Sequence, residues 1–529
     1  MPSWTLSHKV RAAETRLRAG QLDGVLFRHV DALQSSVRET PTTKDVLRSR
    51  ILLAETEDHR GRTKSAQQAV REGPELWAQI QSLSEVKQDE REFRRDQVRF
   101  IADYARVFYY REQRYLAAKH LLFDCLKFVR ERLVDEHCDK PFLCHGTQAR
   151  LNYYLGCACR QLGEYDEANK RYGFSIDSFR DWATVYGPAG EVRARWRAAL
   201  CSGLGLGWVN YTRGRLTEAL NNLRQAQAFL LGINDPISEA YLSLVRGSIE
   251  RCLAGSDTEK LRAAMNHVER ADRTFSNGEY AHDSYGARAA YELALGHLYS
   301  GNLEGAEQSI AKTEDVSKRL TDLRWECNVW VVRSRIRRRR GDARGALEAA
   351  DRAYVLAADL DESLGRIDAL IARGEASLDL KMTESAREAF ESARAEVARR
   401  GTGRSGEVSN PKIDAVISIH VARSHVVDGN SSSAREALGR WHALANLIEH
   451  EAIRKMARDV EEELCKMQDD FRVNHAVGDL TYTKHEADLR RWLIMRARRE
   501  TRKKGSVTDK LGISRQTLYQ WERKLGLLE

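Results

Sequence analysis

The sequence predicts an all-α chain, a long array of antiparallel helix pairs followed by a small three-helix unit. Helix-favouring residues dominate a composition that is 42 % hydrophobic and 31 % charged, with only 7 prolines in 529 residues to interrupt helices. A signature of small residues and turn residues recurs along most of the chain. Near the C-terminal end, a shorter pattern has the spacing of two helices meeting at a sharp turn.

The recurring signature is a small residue, a turn residue further on, an aromatic or Leu soon after, and then Ala. Its clearest copy is Leu155-Gly156, Gly163, Tyr165, Ala168 and Tyr172. Others read Leu206-Gly207, Gly214, Leu216, Ala219, Leu223 and Ala226; Leu293-Ala294, Gly301, Leu303, Ala306 and Ile310; and Gly341, Ala343, Ala346 and Ala350. Weaker copies use Gly20 with Leu22, Gly61 with Ala66, Tyr115 with Ala118, Gly374 with Ala386 and Phe390, and Gly429 with Ala434 and Leu438. Small residues let two helices approach closely, and a turn glycine supplies the positive φ that ends the first. Larger apolar positions then bury against the next pair, so no unit is stable alone.

This pattern resembles the tetratricopeptide repeat, in about ten copies starting near residues 6, 47, 99, 149, 200, 240, 287, 327, 367 and 415. The resemblance implies a right-handed superhelical solenoid over residues 1–467. The spacing exceeds the family's usual ~34 residues, so either the helices or the loops are longer; the chain is most similar to the long-helix arrays of bacterial signalling and regulatory proteins. A HEAT-like array or a helical bundle is the other all-α arrangement of the same pattern.

In the tetratricopeptide family the first helix of each pair lines the concave face. That implies an inward set of Arg150, Tyr153 and Arg160; Trp208 and Tyr211; Tyr241 and Arg251; Arg288, Tyr291 and Tyr299; and Arg335, Arg338 and Arg339. Tyr, Trp and Arg dominate binding hot spots, and Arg grips carboxylate or phosphate with a fork of donors. The expected partner is an acidic or C-terminal peptide, a protein, or a small anionic ligand. The aromatics serve equally as core between repeats, and Arg335–Arg340 equally as a solvated helix end before Gly341.

Net charge is +9, and its placement is informative. Residues 484–529 hold 13 Lys or Arg against 6 acids. A polyanion-binding surface is therefore expected there, while the other 483 residues are nearly neutral. Residues 468–483 read as a linker. Next comes a helix with Leu489, Trp492, Leu493 and Ala497 on one face, and Arg490, Arg491, Arg498 and Arg499 largely elsewhere.

The segment from Val507 to Leu527 carries the motif. Val507 and Leu511 share one face of a short helix, Gly512 permits the turn, Ile513 plugs the angle, and Ser514 caps the next helix. Leu518, Trp521 and Leu525 form the expected buried stripe, with Gly526-Leu527 ending the helix. Arg515, Gln516, Tyr519, Gln520 and Arg523 remain outside, a face suited to a major groove. These residues resemble the Fis-type helix-turn-helix of nitrogen-regulatory enhancer-binding proteins, whose pattern runs Leu-Gly-Ile-Ser-Arg-x-Thr-Leu-Tyr and closes with Leu-Gly-Leu. Val507-Thr508 departs from the usual paired alanines, and Trp521-Glu522 from a Lys-Leu pair. The resemblance implies DNA contacts from Arg515, Gln516, Thr517, Gln520 and Arg523, joined by Tyr519 and by the basic Arg498, Arg499, Lys503 and Lys504. It also implies a homodimer paired through first helices, with the Trp492 face as the seam.

No catalytic constellation is present, so no enzyme activity and no cofactor are expected. A GxxxxGK[ST] phosphate loop is absent, which separates the chain from the ATPase engine of enhancer-binding activators. Gly203, Gly205 and Gly207 form GxGxG without a preceding strand, a pattern better suited to close packing. His485-Glu486 lacks the second His of a zinc-protease motif. Nine scattered cysteines suit a reducing compartment. No metal site is expected: His137, Cys138, Cys144 and His145 match no familiar zinc spacing, and Cys157 and Cys159 face apart on a helix. With no apolar run long enough to span a bilayer, the expectation is a cytoplasmic, nucleoid-associated protein. The implied function is that of a bacterial transcription regulator whose repeat domain controls DNA-reading heads; the alternative is a solenoid scaffold with a basic tether.

Overall fold

The computed structural model describes residues 43–59, 62–83, 85–87, 89–133, 145–255, 257–276, 280–358, 360, 363–400, 410–473, 490–498, 507–508, 511, 513–525 and 527. Among these every regular element is helical. The helices are α1 (Lys44–His59), α2 (Thr63–Ala69), α3 (Gly73–Gln81), α4 (Arg91–Tyr104), α5 (Tyr115–Phe128), α6 (His145–Gln161), α7 (Tyr165–Ala199), α8 (Gly207–Arg213), α9 (Leu216–Leu230) and α10 (Pro236–Ala254). The chain continues with α11 (Thr258–Ser276), α12 (Asp283–Ser300), α13 (Leu303–Leu320), α14 (Leu323–Arg339), α15 (Ala343–Ala358), α16 (Ser363–Asp379), α17 (Thr383–Arg400), α18 (Pro411–Val427), α19 (Ser431–Leu444), α20 (Glu451–Val473) and α21 (Arg515–Lys524). Consecutive helices pack as antiparallel pairs, and the pairs stack into an all-α superhelical repeat fold.

The sequence signature marks the joints. Gly163, Gly214, Gly301, Gly341 and Gly429 all adopt positive φ at the turn inside a pair. Asn302 and Asn430 then cap the second helix, accepting the backbone N–H of Gly305 at 2.9 Å and of Ser433 at 3.2 Å. The alanine that follows each turn is wholly buried at Ala66, Ala118, Ala168, Ala219, Ala306, Ala346, Ala386 and Ala434. Gly374 does not make a turn. It lies inside α16, where an added Cβ would sit 2.4 Å from the Phe390 ring, and Lys381 takes the positive φ instead. Gly203 and Gly205 serve close packing: a Cβ would lie 2.2 Å from Leu242 at the first and 2.7 Å from Tyr172 at the second.

Long helices account for the long repeat spacing. Helices α12 and α13 have 18 residues each and α14 has 17, while the turns Gly301-Asn302 and Thr321-Asp322 are short. The expected boundary near residue 200 is different in kind. The 35-residue α7 runs into a wide-turned π segment, Leu200–Leu206, and then α8 without a break. Helix α20 also extends to Val473, into the stretch read as a linker. The unit expected near residue 6, Gly20, Gly61, and the cluster His137, Cys138 and Cys144 lie outside the described residues.

The superhelix closes on itself. The N–H of Glu449 donates to the carbonyl of Gly214 at 3.1 Å, and the Glu449 carboxylate accepts from the N–H of Thr217 at 2.5 Å. Gln113 donates to Asp322 at 2.9 Å, and His59 meets Asp235 at 3.2 Å. These contacts join helix pairs far apart in sequence and narrow the concave face into a chamber that stays partly open to solvent.

Candidate functional site

The chamber has a volume of about 910 Å³. Its walls come from the first helix of successive pairs, α6, α8, α10, α12, α14, α16, α18 and α20, and from the π segment Ala105–Tyr110 after α4. Of the inward residues expected from sequence, Tyr153, Arg160, Trp208, Tyr211, Tyr241, Arg251, Arg288, Tyr291, Tyr299, Arg335, Arg338 and Arg339 all line this one space. Arg150 does not. It is buried at the joint of α1, α4 and α6, donating to Glu55 at 2.7 Å and Asp103 at 2.9 Å, because two carboxylates behind the wall outcompete the solvated interior.

Sequence reasoning missed a comparable set: Arg106, Arg111, Tyr285, Trp325, Asp368, Glu375, Lys412, His420 and His450. Altogether the lining holds thirteen Lys or Arg against six acids, with nine Tyr or Trp rings. A cleft of one predominant sign with low-dielectric walls attracts the opposite charge.

Most of the deep cations already have an acid. Glu292, 1 % exposed, sits between Arg251 at 2.8 Å and Arg288 at 3.0 Å. Burial pushes its carboxyl pKa up, and the two guanidinium groups more than reverse that. Glu375 holds Arg338 at 2.7 Å and His420 at 3.2 Å, and stays ionised despite burial for the same reason. At the other end Asp58 meets Arg111 at 2.6 Å and Arg106 at 3.3 Å. Burial opposes its charge, but the pair of guanidiniums holds its pKa at about 2.

Four groups differ. No acid among the described residues lies within ion-pair distance of Arg160, Arg335 or Lys412, and no cation among them lies within that distance of Asp368; Arg160 reaches only the Tyr110 hydroxyl, at 3.4 Å. Burial raises the Asp368 carboxyl and lowers the Lys412 ammonium, each only partly offset by the charges across the space. Lys412 rests 5.0 Å from the centre of the Tyr211 ring. Arg288 is the hub of the aromatic side, 4.1 Å over Trp208, 5.7 Å from Tyr291 and 5.9 Å from Trp325.

The C-terminal unit has a core of its own. Ile494, Ala497, Val507 and Leu518 are buried together, with Leu511, Ile513, Trp521, Leu525 and Leu527 packed against them. The first helix of this unit turns inward on Ile494 and Ala497, whereas Trp492 and Leu493 are half-buried. Ser514 caps α21, accepting the N–H of Thr517 at 3.1 Å. The N–H of Leu527 returns to the carbonyl of Glu522 at 2.8 Å, which ends the helix in the manner expected of Gly-Leu.

Gln516, Tyr519, Gln520 and Arg523 form an exposed face of α21, with Thr517 half-buried beside its cap. Arg515 is the first residue of that helix; its side chain, and all of Arg499, Lys503 and Lys504, lie outside the described residues. Arg498 departs from the expected DNA-contacting role. It donates to the buried Glu522 at 2.7 Å and to the Leu527 carbonyl at 3.2 Å, so it fastens the first helix to the last. An acid thus occupies a buried position on the inner side of α21, and an arginine from another helix neutralises it.

No family model and no curated protein matches the sequence. Solved structures with the same general architecture include a Rap protein complexed with competence and sporulation factor, 10 % identical, covering 72 % of this chain and 99 % of that one with a TM-score of 0.45. A monomeric IFIT1 mutant is 13 % identical, with coverage of 98 % and 100 % and a TM-score of 0.41. Aspartyl phosphate phosphatase F from Bacillus subtilis is 10 % identical, with coverage of 75 % and 98 % and a TM-score of 0.36. Likeness at this level carries no inference about ligand or activity, and the functional reading rests on the chamber and the terminal helix themselves.

Proposed function

We propose that this chain is a DNA-binding transcription regulator. Its helical-repeat chamber binds an anionic peptide, protein segment or small ligand and thereby controls a pair of C-terminal heads that read duplex DNA. The observation that carries the reading is the exposed Gln516, Tyr519, Gln520 and Arg523 face on a capped helix over a separate small core. Long amides and guanidiniums make bidentate contacts to base edges, and the basic flank supplies phosphate contacts. The link to the chamber is α20, which contributes Ile453 and Met456 to the wall and then leads the chain toward the head. The heads act as a homodimer through the helix bearing Trp492.

Titrating labelled duplexes with the purified chain at several salt concentrations tests the reading. A regulator prefers one sequence over scrambled duplex by a factor on the order of a thousand or more, and Arg515→Ala with Gln516→Ala removes that preference while the helical far-UV signal persists. Steep salt dependence with no sequence preference would instead favour the scaffold reading, in which the basic end only tethers a solenoid to nucleic acid.

A further inference from the structure

The chamber's interior narrows its occupant further than charge sign alone, an inference that rests on the chamber being the solenoid's binding site. We infer that it takes a small, ring-bearing anion: a compact carboxylate or phosphate held between Arg335 and Lys412, with a flat ring against the Trp208, Tyr291 and Trp325 wall.

Enclosure sets the size. The contacts of Glu449 with Gly214 and Thr217, and of Gln113 with Asp322, close the superhelix across its open side. A volume of about 910 Å³ lies within the range that holds drug-sized ligands and is too small for a folded partner.

Charge sets the anchor. Arg106, Arg111, Arg251, Arg288 and Arg338 are each paired with an acid, so an entering anion gains little from them beyond long-range attraction. Arg335 and Lys412 have no such partner, although they approach the same space from α14 and α18. An enclosed, uncompensated cation is stabilised most by a ligand that brings its counter-charge with it. Asp368 feels the charge of both, and Arg335 feels that of Glu375 as well. These acids repel a polyanion and leave room for one compact anionic group.

Ring chemistry sets the body. Three aromatic side chains converge on the Arg288 guanidinium, and Tyr291 lies 5.8 Å from Trp325 in ring centres. A planar ligand fits such a wall by stacking on rings and on the guanidinium plane alike.

The test uses the full chain, with tryptophan fluorescence and thermal shift read against aryl carboxylates and nucleoside 5′-monophosphates, each beside its uncharged analogue. An extended acidic peptide too long for the chamber is the contrasting probe. The expected result is a ring-bearing anion that binds at least about tenfold more tightly than its uncharged analogue. Arg335→Gln with Lys412→Met should weaken it about a hundredfold or more, the scale of losing two charge-assisted hydrogen bonds. Lys412→Met alone, which removes no ion pair, gives the same direction should the double variant unfold.

Binding of the acidic peptide without binding of any small anion overturns the small-anion assignment and leaves the regulator reading standing. Silence toward every probe, or binding indifferent to both substitutions, overturns the assignment as well. DNA recognition is measured separately in either case, so the two readings fail independently.

Discussion

The chamber and the C-terminal head carry the same formal excess of positive charge, thirteen Lys or Arg against six acids in each, and they deploy it in opposite ways. In the head the cations crowd into one short segment, with Arg523 and Lys524 exposed on its last helix. In the solenoid they are drawn from residues 106 to 458, four of them from α14 and the rest from helices spread along the chain, and converge only when the superhelix closes. On the proposed reading, the head presents its charge to a large polyanion and the chamber gathers its charge around something small. Buried acids make the difference in the interior: Glu292, Glu375 and Asp58 neutralise the deep arginines and leave a few cations for an occupant.

If the interior is held together by such pairs, breaking one should cost far more than any surface change. Glu292→Gln leaves Arg251 and Arg288 without their shared acid and should destabilise the solenoid by about 3–5 kcal/mol, read as a drop in urea midpoint at unchanged m. A wild-type midpoint would mean that the network does not hold the wall.

Packing between pairs gives the next largest effect. In Gly247→Ala the new methyl would lie 2.6 Å from the Ala264 carbonyl oxygen, a backbone atom that cannot swing aside. A loss of about 1–3 kcal/mol follows, again by urea titration, and DNA binding by the separately packed head should survive it.

The smallest effect is on pH dependence. Burial, reinforced by Arg111, holds the His282 pKa well below its usual value, and its Nδ1 accepts the N–H of Tyr285 at 3.2 Å as a helix cap. Because the unfolded imidazole takes up a proton first, the stability linked to His282 is full above about pH 6.5 and declines as pH falls below it. His282→Asn keeps a cap acceptor without titrating. It should flatten the fall in unfolding free energy between about pH 6.5 and 5 by roughly 1–2 kcal/mol; an unchanged slope would show that His282 is not the group responsible.

The fold and much of the chamber wall were legible because the repeat signature fixes register. Once Gly301, Ala306 and their counterparts set the phase, helical periodicity brings Arg288, Tyr291 and Tyr299 to one side. Asp368, Glu375 and Asp379 occupy that same inward register, but an isolated acid on a helix reads as an ordinary solvated residue until its facing cations are in place. Lys412 was harder to find, since it lies just ahead of the unit expected at residue 415. Closure was not legible at all. It depends on single contacts such as Glu449 with Gly214, separated by most of the solenoid and carried by residues ordinary in any loop. In the head, the alternation around Leu518 was clear, but Glu522 read as a surface residue because its partner, Arg498, comes from another helix.

The central claim is that α21 reads base sequence, and selection from a pool of random duplexes by the intact chain at physiological salt tests it most directly. The account predicts recovery of two related half-sites in twofold arrangement, lost when Arg515 and Gln516 are both replaced by Ala. Recovery of a pool still random after repeated rounds would contradict it.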